Sequence, residues 1–360
     1  MADRKALKLA ILDDYASLAP QYFQSLKDTQ LLTDISSCPE TLDTHTDQGL
    51  AAAIERLKPY HIISSMRERT KFPRQLLSQL PNLRLLMNTG PYNRSIDLAA
   101  AKEHDITVTG TYSRYVDNSL ASDFDNTTQH TWSLILALTS RIPEDNYMLS
   151  NNKKTWQTGF MTSLAGKTLG IVGLGRLGGR AARTAVLGFG MKVIAWSQNL
   201  TQEKADQIAV GFGLEKAVFK VVSKQELFEQ SDVVSLHLVM SDRSRNTVTE
   251  NELGLMKKTA FLVNTARADL VNEEALWEAL VAGRVAGFAS DVWWNEPLSS
   301  ESKWRKPDFF GIHGRSRLIM SPHMGYVEID VIRSWFREQF EILEAWFGGQ
   351  DLTDWLLKGV

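Results

Sequence analysis

The sequence predicts an α/β protein of two Rossmann-like domains, each a parallel sheet covered by helices, with a cleft between them. Three observations carry this. A chain of 360 residues with 43% hydrophobic content is more than one ordinary core needs. Short apolar runs alternate with helix-like pieces, the pattern of a parallel sheet with crossover helices. Between Leu164 and Gly190 the order is strand, tight turn, helix, in L-A-G-K-T-L-G-I-V-G-L-G-R-L-G-G-R-A-A-R-T-A-V-L-G-F-G.

That last stretch organises the rest. Leu169, Ile171 and Val172 read as a short buried strand running into Gly173, Gly175 and Gly178, spaced G-x-G-x-x-G before Ala-rich helix. Gly173 allows the tight turn, Gly175 lets a pyrophosphate approach bare backbone, and Gly178 lets the helix sit close to the strand. The helix N-terminus offers unpaired N–H groups and a positive dipole end to phosphates. With Arg176 and Leu177 between them, these glycines are candidate dinucleotide-binding residues.

In the first third, Leu7 to Leu12, His61 to Ser64, Leu83 to Met87 and Ile106 to Val108 read as strands. Leu50 to Leu57, Phe72 to Leu80 and Ile96 to His104 read as helices. There is no second G-x-G-x-x-G, so this domain is assigned to substrate. Arg67, Arg69, Thr89 and Gly90 fall after strands, where open α/β sheets place ligands. The backbone at Thr89 and Gly90 is suited to cradling a carboxylate. Thr111 to Asn126 reads as a polar hinge loop, and T-Q-H-T-W-S-L-I-L-A-L-T as a helix buried between domains or subunits, with His130 in a structural or capping role. The polar run that follows, from Glu144, leads into the nucleotide unit.

After the glycines, Met191 to Trp196, Val233 to Leu238, Ala260 to Asn264, Gly287 to Ser290 and Leu318 to Met320 continue the sheet. About 20 residues past the motif an NAD-binding unit usually offers Asp or Glu to the ribose. Here stand Ser197, Gln198 and Asn199, which tolerate a 2′-phosphate, so the cofactor leans to NADP or to dual use of NADP and NAD. Arg176 and Lys204 are the basic residues that could fold in.

Three polar residues follow the later strands: Arg267 in V-N-T-A-R-A-D-L, Glu296 in D-V-W-W-N-E-P-L and His323 in S-P-H-M-G-Y. Such a set suits hydride transfer to a 2-oxo acid. The arginine binds the carboxylate and polarises the carbonyl, the histidine donates a proton, and the glutamate favours the charged imidazole.

A net charge of -2 makes no electrostatic case for nucleic acid or a membrane surface as partner. The single cysteine, Cys38, rules out an intrachain disulfide framework and suits a reducing compartment. No long apolar run marks a leader or a membrane span, and no metal site is assigned. The expectation is a soluble cytoplasmic protein.

These motifs, in this order, resemble the D-isomer-specific 2-hydroxyacid dehydrogenases, which include glyoxylate and hydroxypyruvate reductases. The resemblance covers nearly the whole chain. It implies Arg267, Glu296 and His323 as a catalytic triad, Asp291 as partner of the nicotinamide carboxamide, Thr265 and Ala266 beside the cofactor, and the Thr89 and Gly90 backbone at the substrate carboxylate. It also implies a discontinuous flavodoxin-like substrate domain, residues 1–125 with 334–360, completed by the last helix, around a Rossmann domain at 126–333. Ile332, Trp335, Phe336, Phe340, Leu343, Trp346 and Phe347 supply that helix with an apolar stripe.

The chain departs from the family pattern at the missing ribose acid and at Ala268, where glycine is common. Two loops look expanded, one around Tyr115 to Asn126 and one between Glu301 and Arg315. Trp293, Trp294, Trp304, Phe309 and Phe310 are candidates to line a bulky pocket, with core packing the competing role. The expected activity is NAD(P)H-dependent reduction of a 2-oxo acid to a D-2-hydroxy acid by a homodimer. The alternative is a non-catalytic dinucleotide-sensing protein on the same fold; phosphoglycerate-type activity would usually bring an added regulatory domain.

Overall fold

A computed structural model describes residues 7–116, 125–306, 311 and 314–358. The contacts divide the chain into two compact units, Met1–Asp117 with Glu328–Val360, and Asn118–Val327.

The first unit runs β1 (Leu7–Leu12), α1 (Pro20–Asp28), β2 (Leu32–Cys38), α2 (Asp47–Leu57), β3 (Ile62–Ser65), α3 (Arg74–Leu77), β4 (Leu85–Asn88), α4 (Leu98–Glu103) and β5 (Thr107–Gly110). Its sheet is parallel, in the order β2-β1-β3-β4-β5, with the chain reversing direction across the sheet at β1 and β3. Two expected features change. The helix read over 72–80 shortens to α3, because Phe72 is drawn into a bridge with Ile96 and Pro73 and Pro81 bracket the turn. An edge strand, β2, appears where Thr33, Asp34, Ser36 and Ser37 give no apolar alternation.

The helix Ile329–Phe347 belongs whole to this unit. Ile332, Trp335, Phe336 and Leu343 are buried as the stripe requires. The same face buries polar groups that are all partnered. Gln339 Oε1 accepts from Ser64 Oγ at 2.6 Å, and Glu338 accepts from the backbone N–H of Tyr112 at 2.6 Å and of Arg114 at 2.8 Å.

The second unit runs α5 (Asn126–Ser140), α6 (Ile142–Ser150), β6 (Thr168–Val172), α7 (Arg176–Phe189), β7 (Lys192–Trp196), α8 (Gln202–Gly211), β8 (Phe219–Val221), α9 (Lys224–Gln230), β9 (Val233–Leu236), α10 (Glu250–Leu255), β10 (Phe261–Asn264), α11 (Glu273–Val281), β11 (Gly287–Ser290) and β12 (Arg317–Met320). The seven strands are parallel, in the order β12-β11-β10-β9-β6-β7-β8. The sheet reverses between β6 and β9, beside the glycine motif, which is where a doubly wound sheet opens its crevice. The polar run from Glu144 folds in part as α6, held by a buried ion pair in which Arg317 Nε lies 2.6 Å from Glu144 Oε1. No helix of the described residues is long and apolar enough to cross a membrane.

Candidate active site

The glycine motif forms the turn its spacing predicts. Gly173 has φ +101°, and a Cβ there would lie 2.8 Å from Leu238 N. A Cβ on Gly178 would lie 2.1 Å from Gly173 O, so this glycine is what allows α7 to close on β6. Gly175 differs, since a Cβ there meets nothing within 4 Å. It is the N-cap of α7 and brings no side-chain cap, so amides of the first turn face open space. A cradle that only a ligand would fill fits a dinucleotide pyrophosphate. Arg176 is exposed at the first position of the helix, and Leu177 is half-buried.

Gly173 N donates to Trp196 O at 2.8 Å, which ties the loop to the end of β7. Ser197 follows directly and is half-buried, while Gln198 and Asn199 are exposed. Lys204 Nζ reaches Asn199 O at 3.2 Å, placing a cation at this turn.

Three neighbouring strands end level: Asn264 of β10 pairs with Ser290 of β11, which pairs with Met320 of β12. The loops after them therefore emerge side by side. Beyond β10, Asn264 Nδ2 donates to Arg267 O and its Oδ1 accepts from Ala266 N, closing a tight loop in which Arg267 Nη1 donates to Ala266 O. Thr265 is buried, with its Oγ1 2.8 Å from Thr131 Oγ1. Ala268 is buried at the start of a 3₁₀ turn.

Beyond β11 and β12 the structure joins Glu296 and His323. Imidazole Nδ1 stands 2.7 Å from Glu296 Oε2, and Glu296 Oε1 accepts from Trp293 N at 2.7 Å. His323 has φ +57°, a left-handed conformation unusual for a residue with a side chain. Asp291, 1% exposed, accepts from the two amides that follow it, Met324 N at 2.7 Å and Gly325 N at 2.8 Å. Ser321 Oγ donates to Asp291 Oδ1 at 2.6 Å, and His130 Nε2 lies 3.1 Å from the same oxygen. Burial pushes the Asp291 carboxyl upward, but these hydrogen bonds and the His130 charge hold it below the usual range. His130, Ser321 and the Trp293 amide thus join the site, although spacing alone gives no sign of them. His130 lies in α5, far from the loop in sequence, and only the fold brings it to Asp291.

In the first unit Arg67 and Gly90 are brought together, since a Cβ on Gly90 would lie 2.0 Å from Arg67 Nη1. The carboxylate cradle expected at Thr89 and Gly90 has internal partners. Thr89 N donates to Ser65 O at 2.9 Å and Gly90 N to Thr111 Oγ1 at 2.8 Å, so both amides are already paired. Pro91 next in line has no N–H. Arg69 lies over the Tyr15 ring instead, 4.7 Å from its centroid.

Trp304 is 2% exposed and packs against Trp277, Trp293 and Trp294. With Glu273 and Asn295, Trp293, Trp294 and Trp304 wall a cavity of about 300 Å³. Phe309 and Phe310 lie outside the described residues. No cluster of metal-ligating side chains occurs among the described residues.

Fold and strand-end loops together define a doubly wound α/β protein with a histidine–glutamate pair at the carboxyl edge of its sheet. Residues 132–325 match the model of the D-isomer specific 2-hydroxyacid dehydrogenase, NAD binding domain. The chain belongs to the D-isomer specific 2-hydroxyacid dehydrogenase family.

The chain is 35% identical over 231 residues to a glyoxylate reductase of Aeropyrum pernix, covering 62% of this chain and 64% of that one. It is 29% identical over 296 residues to a D-3-phosphoglycerate dehydrogenase of Synechocystis sp., covering 82% and 48%. It therefore spans between about half and two thirds of these relatives' length. A crystal structure of a phosphoglycerate oxidoreductase from Vibrio cholerae superposes with a TM-score of 0.76 at 30% identity, covering 95% of this chain and 99% of that one.

Proposed function

We propose that this chain is an oxidoreductase that reduces a 2-oxo acid to a D-2-hydroxy acid. The observation that carries the reading is the His323–Glu296 pair, 2.7 Å apart, on the sheet that bears the glycine motif. Bound nicotinamide dinucleotide would supply the hydride, held by Gly173, Gly175, Arg176, Leu177 and Gly178, with Thr265, Ala266 and Asp291 toward the nicotinamide. The Arg267 guanidinium binds the substrate carboxylate and draws electron density from the carbonyl. With Nδ1 engaged by Glu296, His323 presents Nε2 as the proton donor to the carbonyl oxygen as the hydride arrives. Trp293 N–H fixes the second carboxylate oxygen of Glu296, so the imidazole is held in one orientation. In the first unit, Arg67 is the side chain assigned to substrate in place of the Thr89 and Gly90 amides.

For the cofactor we propose NADP or dual use. No carboxylate stands among Ser197, Gln198 and Asn199 to repel a 2′-phosphate, and Lys204 brings a cation to that turn. A homodimer in the cytoplasm completes the reading, supported by exposed apolar side chains on and after α6 and by the buried single thiol of Cys38.

Initial rates with 2-oxo acids from glyoxylate and pyruvate to branched and aromatic ones, each with NADPH and NADH, test the proposal. Turnover is the expected result, and Ser197→Asp is expected to shift preference toward NADH. Dinucleotide binding without turnover of any member of the panel would favour a sensing protein on the same fold.

A further inference from the structure

We infer that His130 is a positioning residue for the acid/base group, acting through Asp291 and Ser321. The inference rests on the proposed role of His323. His323 touches Glu296 directly, but nothing in that contact fixes the backbone beneath it. That is done from below. The Asp291 carboxylate accepts from Met324 N at 2.7 Å and Gly325 N at 2.8 Å, the two amides that follow His323. These bonds hold the loop in the turn that gives His323 its φ of +57°.

The carboxylate can clamp the loop only while its own plane is fixed. Ser321 Oγ donates to Oδ1 at 2.6 Å, and His130 Nε2 stands 2.8 Å from Ser321 Oγ and 3.1 Å from Oδ1. Because the serine proton points at the carboxylate, His130 Nε2 carries a hydrogen and donates into the pair. Three donors thus converge on Oδ1: the Met324 amide, the Ser321 hydroxyl and the imidazole. Oδ2, with Gly325 N as partner, keeps one acceptor position open toward a further donor.

The base of this arrangement is rigid. His130 sits one turn into α5, whose N-cap Asp125 accepts from Thr128 N at 2.8 Å and pairs with Arg180 of α7 at 2.9 Å. Thr127 Oγ1 in the first turn donates to Gly325 O at 3.1 Å. The loop that bears His323 is therefore tied to the start of α5 at two points, and the imidazole reports to that helix. A displacement of the acid/base group by about 1 Å costs on the order of a hundredfold in rate, so a small loss of order here is visible in kcat.

The test compares His130→Phe, which keeps a ring without a donor, with His130→Gln, whose amide nitrogen can replace Nε2–H. We expect His130→Phe to lower kcat about 10- to 100-fold with KM for the 2-oxo acid within about twofold. It should also speed amide hydrogen exchange in a peptide spanning residues 322–326. His130→Gln should restore both quantities to within about threefold of wild type. Wild-type kcat and exchange in His130→Phe, lowered kcat without faster exchange, or equal losses in the two variants would each overturn the inference. The exchange readout needs no turnover. If the wild type reduces no 2-oxo acid, the proposed function fails by itself, while exchange in the two variants still decides whether His130 holds this loop.

Discussion

At the scale of the residue, the proposed chemistry rests on few side chains, and His323 is the one assigned to move a proton. Its ring is oriented by Glu296 and its backbone is held in a left-handed turn. His323→Ala is expected to lower kcat by about 10²- to 10⁴-fold while leaving the dinucleotide Kd within about twofold. Stopped-flow turnover with a fluorescence titration of the cofactor checks both numbers. His237 makes a different prediction. It follows β9, with Nε2 2.9 Å from Ser235 Oγ, and burial lowers its pKa from 6.5 to about 4 against a weaker upward pull from Asp125. Because the folded state holds this histidine neutral, the unfolded chain binds more protons as pH falls below 6.5. Stability contributed by the neutral ring is therefore lost between pH 6.5 and about 4. His237→Gln should show a smaller drop in urea midpoint between pH 7 and pH 4.5 than wild type. Equal drops would remove His237 as a source of acid sensitivity.

At the scale of the element, the strand ends decide what the sequence could disclose. That the loops bearing Arg267, Glu296 and His323 emerge side by side was legible because each follows a short apolar run, and the parallel register sets the ends of β10, β11 and β12 level. The donors that hold them were not. The Trp293 bond to Glu296 is a backbone amide, and any residue type could supply it. The internal pairing of the Thr89 and Gly90 amides was hidden for the same reason, because it depends on partners from elsewhere in the fold, Ser65 of β3 and Thr111 after β5. The polar edge strand β2 and the short α3 were obscured by the weak periodicity of exposed edges and by flanking prolines. The glycine loop separates two roles that its spacing cannot. Gly178→Ala would drive Cβ into Gly173 O and should destabilise the unit by about 1–3 kcal/mol, lowering Tm. Gly175→Ala meets no protein atom within 4 Å and has φ -98°, so Tm should stay at the wild-type value. Its dinucleotide Kd should nevertheless rise at least about tenfold, because the added methyl occupies the space beside the first turn of α7. An unchanged Kd in Gly175→Ala would move the pyrophosphate away from this loop.

At the scale of the whole molecule, the question is what covers the apolar surface that the fold leaves outside. Two parallel sheets were readable from alternation, whereas the return of the last helix to the first unit was implied by the family resemblance, with the stripe on that helix in keeping with it. The surface beyond α5 was not readable, because the run from Glu144 reads as polar and gives no helical signal. The structure shows Ile142 66% exposed, Trp156 75% and Phe160 96%, with Tyr147, Leu149 and Met161 also more than half exposed. All of them lie within one segment of the chain. Isolated surface apolar groups need no explanation, but this density of large side chains on one helix and its following loop marks an interaction surface. A second copy of the chain is the occupant in the proposed homodimer, since a twofold contact lets the same patch cover itself. Light scattering after size exclusion should therefore give twice the chain mass of 40.5 kDa for the wild type. Trp156→Ser combined with Phe160→Ser removes two of the most exposed side chains without opening a core cavity, so the variant should fold and elute as a monomer. A wild type that is monomeric at micromolar concentration, or a double variant that stays dimeric, would place the oligomer contact elsewhere or abolish it.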